Sequence, residues 1–81
     1  MDGVKFIKTE LERECSGEIT VDYRRSSRHL FVQIGTDPSF RYHRRITPNL
    51  MSDTAVLTTI VKIIMMLYNA YLLDIYFKTS D

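Results

Sequence analysis

From Ile19 to Arg45 apolar and polar residues alternate in three successive runs, and this alternation narrows the fold more than any other feature of the chain. Ile19, Val21 and Tyr23 alternate with Glu18, Thr20 and Asp22. Leu30, Val32 and Ile34 alternate with His29, Phe31 and Gln33, and Phe40 and Tyr42 with Arg41, His43 and Arg45. A period of two marks a strand with one buried face. Turn-forming residues separate the runs: Arg25-Ser26-Ser27-Arg28, then Gly35-Thr36-Asp37-Pro38-Ser39.

Closing both turns as hairpins pairs Tyr23 with Leu30, Val21 with Val32 and Ile19 with Ile34, then Val32 with Tyr42 and Ile34 with Phe40. A slip of one residue would send every apolar side chain to the wrong face, so two hairpins that agree specify one register. The same register writes out the opposite face as three cross-strand rows: Arg24–His29–Arg45, Asp22–Phe31–His43 and Thr20–Gln33–Arg41.

The segment from Val4 to Glu14 fits two patterns. As a strand it turns Ile7, Thr9 and Leu11 inward, with Cys15-Ser16-Gly17 as a three-residue turn whose glycine takes the left-handed position. As a helix it places Val4, Ile7 and Leu11 on one side, and Glu10-Leu11-Glu12-Arg13 has good helix propensity. The strand is the preferred reading. The helix would give the order α-β-β-β-α and invite comparison with double-stranded RNA-binding domains. Ser52-Asp53-Thr54-Ala55, at the start of the last helix, lacks the lysine cluster such domains direct at phosphates, so that assignment is not made.

After Thr47-Pro48-Asn49, Ser52 or Asp53 can cap a helix running to about Phe77. Val56, Ile60, Ile63, Ile64, Leu67 and Tyr71 are its expected core stripe, and the apolar surface continues through Leu57, Val61, Met65, Met66, Tyr68, Leu72 and Ile75. Ala55 to Leu73 is apolar enough to suggest a membrane span. Lys62 and Asn69 lie inside it, however, and a charge near a bilayer centre costs at least about 2.5–3.5 kcal/mol. A soluble helix with a polar edge is expected instead. Its apolar surplus points to a homodimer or second contact through Lys62, Met65, Met66, Asn69 and Leu72. The expected fold is α+β: an antiparallel meander of three to four strands packed on one long C-terminal helix, as a single small domain over residues 1–81.

Charge gives the functional expectation. Between Tyr23 and Arg45 stand six arginines and two histidines against one acid, Asp37, while the rest of the chain has five cationic residues and nine acidic ones. The expected partner-binding set is Arg24, Arg25, Arg28, His29, Phe31, Arg41, His43 and Arg45. Arginine forks suit carboxylates and phosphates, and lysine would serve as well if solubility were the only need. The expected partner is an acidic protein surface or nucleoprotein complex, with nucleic acid as the alternative. The pI of about 7.9 is low for a dedicated nucleic-acid binder.

No nucleophile elbow or phosphate loop occurs, and one cysteine with two histidines is too few for a zinc site. No catalytic residue, metal or cofactor is therefore assigned, and the chain is read as a non-enzyme. The lone Cys15 and the charged N-terminus, with no signal-peptide pattern, suggest a cytoplasmic setting. Compact chains without an active site are common among phage-encoded inhibitors and modulators of host machinery, anti-CRISPR proteins included. That likeness is one of size and plan only.

Overall fold

Described over residues 2–15 and 18–79, the structure is a computed structural model. Its elements follow the order α1 (Gly3–Glu14), β1 (Ile19–Arg24), β2 (His29–Ile34), β3 (Arg41–Arg45) and α2 (Thr54–Thr79), with short 3₁₀ turns at Pro38–Phe40 and Leu50–Ser52. The α+β plan is as expected: a three-stranded antiparallel meander, β1-β2-β3, carries both helices on one face. The pairing Ile19↔Ile34, Val21↔Val32, Tyr23↔Leu30 and Val32↔Tyr42 reproduces the expected register.

The ladder between β2 and β3 stops at Gln33↔Arg41, one pair short of the expected match of Ile34 with Phe40. Phe40 instead ends the 3₁₀ turn, where its N–H donates to the Asp37 carbonyl at 3.0 Å. Asp37 caps that turn by accepting from the Ser39 N–H, which holds its carboxyl below the usual range.

The N-terminal segment is a helix and the sheet has three strands, so the expected fourth strand is corrected. A local cap and tertiary packing decide it. The Asp2 carboxylate accepts from the Val4 and Lys5 N–H groups at 3.1 and 3.2 Å, satisfying orphan donors of the first turn. Ile7 and Leu11, one helical turn apart, are both buried, whereas Thr9 is exposed. Gly3 also lets the first turn approach the Met51 backbone so closely that any Cβ would collide with the Met51 carbonyl. The expected Cys15-Ser16-Gly17 turn lies partly outside the described residues. Cys15 itself is buried against the core at the C-cap, its N–H bonded to the Leu11 carbonyl at 2.7 Å.

Helix α2 is capped by Asp53, whose carboxylate accepts from Ala55 and Val56, and it runs two residues beyond the expected end at Phe77. Its buried stripe is Leu57, Ile60, Val61, Ile64 and Tyr68, rotated from the expected one: Ile63 is exposed, and Val56, Leu67 and Tyr71 are half-buried. The rotation follows from α1, which occupies one flank of the helix layer, so that α2 nests between α1 and β2 instead of lying squarely on the sheet. The core joins these residues to Ile7, Leu11, Leu30, Val32 and Ile34.

Tyr71 anchors the next turn of α2. Its ring meets Phe40 edge to face at 5.3 Å between centroids and stacks on Tyr68 at 6.1 Å. It rests on Gly35, which has φ +63°, a left-handed conformation natural to glycine. A Cβ there would stand 2.9 Å from the Tyr71 ring. Gly35→Ala therefore combines backbone strain with a clash, and a loss of about 1–3 kcal/mol is expected. A thermal melt showing an unchanged or raised midpoint would contradict this account of the turn.

Candidate binding face

The face of the sheet turned away from the helices displays the three rows laid out by the register. Each is observed: Arg24↔His29↔Arg45, Asp22↔Phe31↔His43 and Thr20↔Gln33↔Arg41. Phe31 occupies the middle. Its ring lies between those of His29 and His43, at 5.6 and 6.3 Å between centroids, and the Arg24 guanidinium sits over it at 5.1 Å. The result is a half-buried aromatic platform under a planar cation.

Arg24 also approaches Asp22 at 3.6 Å, an exposed pair worth little in water. Asp22 is the acid within the rows. Arg25, Arg28, Arg41 and Arg45 are exposed around the platform, and none of them has a salt bridge among the described residues. Arg25 and Arg28 belong to the β1–β2 turn, which extends the charged area past the edge of the sheet.

Two side chains depart from their expected surroundings. Gln33 is half-buried and committed to structure: its amide nitrogen donates to the carbonyls of Ile34 and Asp37 at 3.0 and 2.9 Å. Its amide oxygen accepts from Arg41 Nε at 3.0 Å. Gln33 thus fastens the β2–β3 turn and holds Arg41 through its Nε. Arg28 holds φ 57°, the left-handed region in which an arginine costs about 1–2 kcal/mol relative to its preferred conformations. Its carbonyl accepts from Ile46 N–H at 2.7 Å, which ties the turn to the end of β3.

The expected set omitted Arg44. It pairs with Leu30, so the pleat points it to the helix side, yet it is exposed because α1 covers β1 and α2 covers β2 while β3 remains an edge. The adjacent pair Arg44-Arg45, sending one cation to each side of an edge strand, was the available signal. On α2, Lys62, Asn69, Met66 and Leu72 are exposed and Met65 is half-buried.

Among the described residues no three His, Cys, Asp or Glu side chains converge as a metal site would require. The thiol of Cys15 is pushed up by burial, with the charge of Glu14 adding to the effect. A thiol of that kind is a poor nucleophile at neutral pH. Alkylation of Cys15 by iodoacetamide at pH 8 is expected to run at least about tenfold slower in the native protein than in urea. Equal rates would show that α1 does not shield it.

Compared with protein-family models, with curated proteins and with solved structures, the chain finds no match in any of the three.

Proposed function

We propose that this protein is a non-catalytic binding module that works by surface occupation, docking its arginine-rich sheet face on an acidic target. The target in this reading is an acidic surface of another protein or of a nucleoprotein complex, which the module inhibits or modulates by covering it. One observation carries the reading. Arg24, Arg41 and Arg45, with His29 and His43, share the outer face of the sheet with the half-buried Phe31, and Asp22 is the acid in the rows. Aromatic and arginine anchors are what energetically dominant interface positions are made of. The cost carried by Arg28 supports it, since glycine would fill that turn position without strain.

A second reading, single-stranded nucleic acid, is favoured by the platform itself, because a base can stack where Arg24 now covers Phe31. Salt separates the two. A phosphate-bearing strand loses affinity steeply as salt rises, and each arginine contact removed flattens that slope by about one. A protein target depends instead on a few anchors, with Phe31→Ala costing about 2 kcal/mol or more.

The test is fluorescence anisotropy against a labelled polyglutamate peptide and a labelled oligonucleotide, each at low and at physiological salt. Arg41→Glu combined with Arg45→Glu is expected to abolish binding to whichever probe is taken. Binding that survives this reversal would remove the sheet face from consideration. Arg28→Gly is expected to raise stability by about 1 kcal/mol while weakening binding, a pairing of opposite signs that a merely structural arginine would not give.

A further inference from the structure

Strand β3 is an edge of the sheet, and of its residues only Tyr42 is not fully exposed. The register fixes which way its backbone groups point. In an antiparallel ladder, pairs that exchange hydrogen bonds alternate with pairs that exchange none. The Ile46 N–H donates to the Arg28 carbonyl at 2.7 Å, which makes that pair a bonded one. Counting along the register, Leu30↔Arg44 and Val32↔Tyr42 are bonded, and His29↔Arg45, Phe31↔His43 and Gln33↔Arg41 are not. The other side of β2 agrees. There the Gly35 N–H donates to the Glu18 carbonyl at 2.9 Å, so Gln33, Phe31 and His29 bond to β1 instead.

Arg41, His43 and Arg45 therefore turn their N–H and C=O groups away from β2, onto the open edge. Among the described residues no turn, cap or loop bond uses these groups. β3 contains no proline and pairs with β2 without a bulge, so its edge is regular enough to template another strand. At the opposite edge the corresponding residues are Ile19, Val21 and Tyr23, and α1 packs over that strand. We infer that the β3 edge receives an extended acidic segment of the target protein, which adds to the sheet as a fourth, antiparallel strand. This rests on the proposed docking of the basic face on an acidic protein and says how that protein is held.

Charge selects the occupant. The residues with backbone groups on the open edge are also those whose side chains face outward, and Arg44 adds a cation on the helix side. None of Arg41, Arg44 and Arg45 has a carboxylate partner among the described residues. Charged edges ordinarily keep strands from pairing. Here the same field repels a second copy, whose β3 would set Arg41 against Arg45, and admits a strand that places acids opposite. Tyr42, half-buried against the core, favours one apolar neighbour. Running antiparallel from Arg45 to Arg41, the complementary segment is acid-acid-acid-apolar-acid. Its first, third and fifth residues exchange backbone bonds with Arg45, His43 and Arg41, while the N–H groups of the second and fourth point away from β3.

Fluorescence anisotropy with a labelled, end-blocked Glu-Glu-Glu-Val-Glu peptide at low salt tests it. N-methylation of the third and fifth residues is expected to weaken binding by at least about tenfold, because it removes donors to the edge carbonyls. N-methylation of the second and fourth is expected to change it little, with the charge identical in both peptides. On the protein side, His43→Pro deletes an N–H that the ladder does not use, so circular dichroism should show it folded. It should bind the peptide at least about tenfold more weakly than His43→Val, which lacks the imidazole but keeps the N–H. Equal losses from the two methylated peptides, or equal binding by the two His43 variants, overturn strand addition. If Arg41→Glu with Arg45→Glu still abolishes binding in that case, the basic face remains the docking surface and only the edge is excluded. A protein that ignores the peptide and takes up only a single-stranded oligonucleotide overturns strand addition and the acidic-protein reading together.

Discussion

Val32 is fully buried at the centre of the middle strand, and the pleat forces its neighbours Phe31 and Gln33 to point the other way. Burial of that one side chain, with Val21 and Tyr42 beside it, sets the register of both hairpins. The charged face is therefore not assembled by its own interactions. It is the reverse of the hydrophobic face, held by core packing that no polar substitution on the outside can slip. The outward side chains are thus placed by residues that face the other way, with Arg41 held in addition by its bond to Gln33.

The strands were legible for the same reason. Two hairpins reported the same register, and each of the three outward rows appeared where the alternation placed it. The N-terminal segment was not, because Ile7 and Leu11 satisfy a strand and a helix equally. What chose the helix was the Asp2 cap and the close approach of Gly3 to Met51, and the second is a tertiary contact with no local signature. The stripe of α2 was misplaced since the helix is apolar around most of its circumference, so its orientation is decided by α1, an element the strand reading had removed. Gln33 was placed on the outer face by the alternation, but its bonds to the turn carbonyls were not legible, because they appear only when the chain reverses direction.

The site combines rigidity and local cost in a particular way. Phe31 is met by the tilted rings of His29 and His43 and by the Arg24 guanidinium, from all three strands, so the middle of the face is preorganised. Around it Arg25, Arg28 and Arg45 are long, exposed and free to adapt. In the proposed binding role, such a centre and charged rim would suit a partner recognised by shape at one point and by field over a wider area. The left-handed Arg28 marks where the chain gives up stability at the rim.

From Thr54 to Thr79 helix α2 contains neither glycine nor proline. Neither residue type that most often kinks a helix interrupts it, and at 1.5 Å per residue it is about 39 Å long, its first half packed in the core and its last two turns projecting beyond Tyr71. Anything held at its far end is consequently kept at a set distance and angle from the sheet. The projecting turns are a continuation of the same rod that fills the core, so their placement relative to the sheet is inherited from the packing of Leu57, Ile60 and Ile64.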